Sequence, residues 1–191
     1  MSAKATCRPA GQAEHIAGFY GSEGELAGGA SSYLAGGLDA GAIAFLIATT
    51  AHRGPVQTRM GAACDVAAAR RRADFVVLDA AEMLRLFLIS DHPDPDGFQL
   101  IIGGLIGRAA RAARPVCLYS EMVALLWDAG HVTAAVALEE LWNQLGQRMH
   151  FALLCGYQAR AVSAGEHAAA LQQVRGLHTA SAGVPPARPA L

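Results

Sequence analysis

The chain is short of charge. Lys, Arg, Asp and Glu make up 16% of its 191 residues, and the formal net charge is −1. Phosphate backbones are gripped by clustered Lys and Arg, so the absence of a basic surplus argues against direct nucleic-acid binding. The densest basic run, Arg70-Arg71-Arg72, suits a solvated helix end. Long apolar runs are also missing: none approaches the roughly 18 residues of a membrane span, and residues 1–15 lack the apolar stretch of a secretion signal. These absences predict a cytoplasmic protein that does not enter membranes. The cysteines Cys7, Cys64, Cys117 and Cys155 form no C-x-x-C, which excludes a zinc ribbon or a thioredoxin-type motif. Cys117 and Cys155 lie inside apolar runs and are expected to be buried, unpaired thiols in a reduced compartment. Cys7, in a loose leader, is expected to be exposed.

What is present is apolar: hydrophobic residues are 53% of the chain, with 21 glycines. That composition and length predict one globular domain with a real core. Residues 1–14 read as a flexible leader, 15–158 as the domain, and 159–191 as a terminal helix with a disordered tail. Short apolar runs at 15–20 (HIAGFY), 42–49 (AIAFLIAT), 75–78 (FVVL), 115–119 (PVCLY) and 151–156 (FALLCG) predict strands. Between them, residues 26–38, 55–71, 81–89, 98–113, 121–128 and 132–148 carry helical spacing, with Gly41 and Gly130 as stops. The segment SDHPDPDG reads as a loop, and 166–178 as a last helix. Strand–helix alternation predicts an α/β fold of three layers, with a mostly parallel sheet between helices. Sites in such sheets gather at the C-terminal strand ends.

The first strand–turn–helix has the position of a phosphate-binding loop without its chemistry. Against G-x-x-x-x-G-K-[ST], Phe19 stands for the first glycine, Glu25 for the lysine and Leu26 for the hydroxyl; only Gly24 survives. Two carboxylates, Glu23 and Glu25, suit a helix start but would repel a triphosphate. Glu121, just past the PVCLY strand, could serve as a base, an acceptor or a helix-start carboxylate. Glu139, Glu140 and Asn143 share a helix with Trp142, which, like Trp127, falls at a core-like position. The seven histidines show neither H-x-x-x-H nor H-E-x-x-H, so local spacing signals no zinc site. No nucleophile elbow occurs, and no cofactor is indicated. Of the histidines, His15 opens the first strand and has the best case for a functional role.

Several segments together resemble the MEDS domain, the methanogen/methylotroph sensory domain. They are HIAGFYGSEGEL at 15–26, YLAGGLDAGAIAFLIATTAHR at 33–53, FVVLDAAEML at 75–84, YSEMVALLWDAGHVTAAVALEELWNQL at 119–145 and FALLCGY at 151–157. His15, Tyr20, Glu121, Trp127, Glu139, Trp142, Asn143, Cys155 and Tyr157 match the family pattern. Family members often continue into an I-C-x-x-H-S-like segment; the equivalent residues 174–179 (VRGLHT) lack the cysteine and carry Thr for Ser. The resemblance implies a RecA/KaiC-like scaffold with a degenerate P-loop. It also implies a non-catalytic role in signal transduction or transcriptional regulation, with a small, largely apolar ligand. The ligand is expected at the C-terminal sheet edge, oriented by His15, Tyr20, Glu121 and Tyr157, with Phe19 and Trp127 as walls. His15 and Glu121 are expected in one polar cluster, with Tyr20 as the alternative partner for Glu121. With no output domain after residue 158, the signal would pass to a separate regulatory protein or through a homodimer. Two alternatives stand beside this: a divergent nucleotide hydrolase with Glu121 as base, and a protein-interaction adaptor.

Overall fold

In the computed structural model, which describes Cys7, residues 13–162 and residues 167–183, strands and helices alternate as the periodicity predicts. The order is β1 Glu14–Tyr20, α1 Glu23–Asp39, β2 Ile43–Ala48, α2 Thr50–Met60, α3 Val66–Arg71, β3 Phe75–Asp79 and α4 Ala80–Arg85. A two-residue hairpin follows, β4 Leu88–Ile89 and β5 His92–Pro93. Next come α5 Pro95–Phe98, a π-turn Gln99–Gly103, α6 Gly104–Ala110, β6 Val116–Ser120, α7 Met122–Asp128 and α8 Val132–Gly146. The chain closes with β7 Ala152–Gln158, α9 Ala159–Val162, α10 Ala168–Leu177 and β8 Ala180–Gly183. The helix starts are local chemistry. Ser22, the N-cap of α1, accepts from the Glu25 N–H, and the Glu25 carboxylate reaches back to the Gly21 N–H one residue before the cap. Gly41 and Gly130 follow α1 and α7 with φ of +81° and +83°, a left-handed conformation that glycine adopts without strain.

The main sheet has six parallel strands in the order β3-β2-β6-β7-β1-β8. All six residues of β2 are buried, as expected of a strand covered on both faces. Side chains of α1, α2 and α3 pack on one face, and those of α4 through α8 and α10 on the other. The expected α/β fold with a helix-flanked parallel sheet is therefore observed. Among the described residues, no helix is long and apolar enough to cross a membrane.

Several sequence expectations need correction. The helix expected over 55–71 is two, because Asp65 caps a new start by accepting from the Ala68 N–H at 2.8 Å. The helix expected over 98–113 is broken into α5, a π-turn and α6, and the loop before it contains the small hairpin. Residues 181–183, expected in a disordered tail, belong to β8, which pairs with β1 from Ile16↔Ala180 onward; residues 184–191 lie outside the described set. Cys117 is not a free thiol. It is disulfide-bonded to Cys7, with the two Cα atoms 6.3 Å apart, and Cys7 is buried rather than exposed. Room for the bridge comes from Gly37 of α1, where a Cβ would lie 2.8 Å from the Cys117 sulfur. That bond is at odds with the reduced compartment assumed from the cysteine spacing. Cys155 is buried and free, as expected. Of the leader, residues 1–6 and 8–12 lie outside the described set.

Trp142 anchors the face covered by α8. Its ring meets Phe98 edge-on at 5.1 Å and Phe151 at 5.9 Å, and its indole N–H has no hydrogen-bond partner. Apolar packing alone therefore holds it. Trp142→Ala is expected to destabilise the protein by about 3–5 kcal/mol, the usual cost of emptying a large aromatic site. Urea denaturation of the variant checks this, and an unchanged midpoint would show that the ring contributes nothing to the core.

Candidate functional site

Alternate residues of β1 point to opposite faces of the sheet, so His15 shares a face with Phe19 while Tyr20 faces the other way. On the His15 face, α8 brings in a carboxylate. Glu139 falls on the apolar side of that helix with Ala135, Leu138 and Trp142, and is completely buried. Its Oε2 lies 2.9 Å from His15 Nε2 and its Oε1 lies 3.3 Å from His178 Nε2. The Tyr157 hydroxyl donates to Oε1, and Cys155 Sγ is 3.6 Å from Oε2 and 3.4 Å from His15 Nε2. Around this centre the histidines are fixed from behind. Asn143 Oδ1 meets His15 Nδ1 at 2.9 Å, the Val174 carbonyl meets His178 Nδ1, and Asn143 donates to the Leu177 carbonyl at 2.7 Å.

Burial sets the electrostatics. It works against the charged form of Glu139, but His178 and His15 outweigh it and hold the carboxyl well below the usual range. Burial pulls His178 down, and Glu139 more than restores it, so the net shift is upward. Burial raises the Cys155 thiol and the Tyr157 phenol, and the Glu139 charge raises both further. Beside the centre lies a cleft of about 610 Å3, lined among others by His15, Trp142, Asn143, Phe151 and Leu177. It opens at the N-terminal ends of β1 and β7, the opposite edge from the one expected.

A second polar cluster occupies the C-terminal strand ends. Glu121 caps β6 with both oxygens engaged. Oε2 accepts from the Thr49 N–H at 2.8 Å, and Oε1 accepts from the Tyr119 hydroxyl at 3.0 Å and meets His52 Nδ1 at 2.9 Å. His52 Nε2 also contacts Glu23, which receives a hydrogen bond from Gln158 at 2.7 Å. The hydrogen bond to Glu121 lifts His52 to about 9 against the opposing effect of burial, and Glu23 adds to the rise.

The residues singled out from sequence therefore divide. His15, Phe19 and Tyr157 lie together, the last two rings stacked at 5.5 Å, and Trp127 belongs to the same core beside His167. Tyr20 and Glu121 lie on the other face. The expected His15–Glu121 cluster is not formed, because the two side chains project from opposite faces of the sheet. Tyr20 does not replace His15; its buried ring covers Gly18 and Gly29, where any Cβ would fall within 3 Å of it. Sequence reasoning understated Glu139, Cys155 and His178. The signal for Glu139 was a lone acid on an otherwise apolar helix face. His178 carried only the weak signal of the family-like segment 174–179, which lacks the cysteine, and it reaches the centre through the return of α10 to the sheet.

Fold and site define a class: an α/β domain whose parallel sheet bears an enclosed polar centre beside a surface cleft. The family model of the MEDS domain, the methanogen/methylotroph, DcmR sensory domain, matches residues 14–179, and the chain belongs to this family of sensory domains. No curated protein matches the chain in sequence.

The raised His52 has a consequence for stability. Its protonated form is favoured by folding, so its contribution is complete below the unfolded value of 6.5 and is lost as pH rises through about 9. Stability to urea is expected to fall between those limits, and His52→Gln should flatten that slope. An equal slope in both proteins would show that His52 is not the titrating group.

Proposed function

We propose that the chain is a non-catalytic sensory domain that binds a small, largely apolar molecule and passes its occupancy to a separate regulatory protein or a second copy. The cleft beside His15 carries this reading. Its walls, Trp142, Phe151 and Leu177, are apolar, and His15 and Asn143 supply polar groups that could orient a ligand. Of the ligand residues set out by the sequence, His15 lines this cleft, and Phe19, Tyr20, Glu121, Trp127 and Tyr157 do not.

The strand ends on the other side support the same reading. A RecA/KaiC-like hydrolase would need free N–H groups after β1 and an available base after β6. Here the Gly21 N–H is taken by Glu25, and Glu121 is held by Thr49, Tyr119 and His52. On this view the scaffold derives from a nucleotide-binding one whose phosphate loop has become a capped helix start. Calorimetry with ATP and magnesium is expected to show no micromolar binding; micromolar affinity would revive the hydrolase reading.

The ligand itself can be sought with a panel of short-chain alcohols and chlorinated alkanes, read by the emission of Trp142 in a Trp127→Phe background. A saturable change is expected for at least one member. Gln147→Phe, which fills the cleft from its exposed rim, should weaken that response tenfold or more. No saturable change across the panel, with no small molecule retained in native mass spectra, would sink the proposal.

A further inference from the structure

His15 of β1, Glu139 of α8, Cys155 of β7 and His178 after α10 each bring one metal-ligating atom to a common point, all within 4.8 Å of one another. They come from four separate segments, which is why no local spacing announces them. We propose that these four side chains form a closed binding site for a divalent transition metal of the zinc class. The assignment deepens the sensory reading, since His15 borders the same cleft, but it rests on the centre's own geometry.

The separations approach those of a tetrahedron. Bonds of about 2.0–2.3 Å to nitrogen, oxygen and sulfur place ligand atoms roughly 3.3–3.8 Å apart. Around Glu139 Oε2, His15 Nε2 lies at 2.9 Å and Cys155 Sγ at 3.6 Å, with 3.4 Å between those two. His178 Nε2 lies 3.3 Å from the other oxygen, Oε1, and all four ligand atoms fall within 4.8 Å of one another. Both imidazoles turn Nε2 inward because their Nδ1 atoms are held by Asn143 and the Val174 carbonyl, the outer arrangement that fixes metal-ligating histidines. An independent observation points the same way. The His178 side chain is 0% exposed, and its Nε2 faces the centre at 3.3 Å from Glu139 without hydrogen-bond geometry. A buried ring nitrogen without a hydrogen bond is costly, and a metal would satisfy it.

Charge also balances. A divalent cation with one carboxylate, one thiolate and two neutral imidazoles is neutral overall, which suits an enclosed site. As the metal binds, the Cys155 thiol proton and any proton carried by the His15 and His178 rings leave to solvent. Thiolate and imidazole ligands select zinc-class ions over magnesium or calcium. Four protein ligands leave no open position, the mark of a site that fastens structure rather than activates water. Here the metal would pin the α10–β8 segment to the sheet.

The test is elemental analysis and cobalt(II) reconstitution of the full chain purified without chelators. About one metal ion per chain is expected by the proposal, with tetrahedral cobalt absorption and a sulfur-to-cobalt charge-transfer band. Cys155→Ser should abolish that band, His178→Ala should abolish stoichiometric binding, and Asn143→Leu should weaken affinity about 10–100-fold as an outer partner. Cys64→Ser, remote from the centre, should change nothing. Because a ligand variant could fail to fold, X-ray absorption of the wild-type zinc protein supplies a readout free of mutation. One sulfur and three nitrogen or oxygen neighbours are expected; a shell without sulfur overturns the assignment. So does protein that takes up neither zinc nor cobalt, or a cobalt spectrum unaltered in both folded ligand variants. A cobalt site without any response to the organic panel would remove the cleft ligand and keep the metal; the reverse result would remove the metal alone.

Discussion

The Glu139 carboxylate is the constraint around which one half of the molecule is arranged. A fully buried charge is tolerable only when opposite charge and hydrogen bonds meet it, and removing one partner of a buried pair costs about 3–5 kcal/mol. His15, His178 and Tyr157 meet it here. These partners come from β1, β7 and the end of α10, so satisfying one carboxylate fixes how three segments dock on α8. The apolar core around Trp142 supplies the burial, and the polar centre specifies which arrangement of that core is acceptable.

The parallel sheet keeps this centre separate from the Glu121–His52–Glu23 cluster. Strand pleating sends odd residues of β1 to one face and even residues to the other, and Glu121 follows the parity of Tyr119 on β6. Two polar networks therefore sit back to back with the sheet between them. One is enclosed and beside an apolar cleft. The other, partly open through the exposed Glu23, ties the ends of β2, β6 and β7 together.

Much of the fold was legible because its causes are local. The unbroken run in β2, the carboxylates Glu23 and Glu25 at the start of α1 and the glycines after α1 and α7 each act over a few residues, and each was visible as pattern. The site was legible only in part. His15 could be singled out as a polar residue opening an apolar strand, but its partners are set by sheet order. Placing His15 with Glu121 required knowing on which face each projects, and parity within one strand says nothing about the phase of another. Cys117 shows the same limit: an apolar run is equally compatible with a free thiol and with one bonded to Cys7 110 residues away. The role of His178 was hidden for a further reason: it ends an expected helix, and only the pairing of β8 with β1 turns it back toward the sheet.

That pairing also ties the centre to the sheet. Among the described residues β8 is an outer strand, and it joins β1 at the residues flanking the centre: the Thr179 N–H donates to the His15 carbonyl at 2.8 Å, and the His15 N–H donates to the Thr179 hydroxyl at 3.2 Å. His15 and His178 are thus tied by side chain to one carboxylate and by backbone to one another's strand, their rings 4.0 Å apart. The enclosed centre is therefore continuous, through the backbone of His15 and Thr179, with an outer strand of the sheet. Docking of that strand and burial of the Glu139 charge are one structural requirement, since His178 can reach the carboxylate beside His15 only with β8 in register with β1.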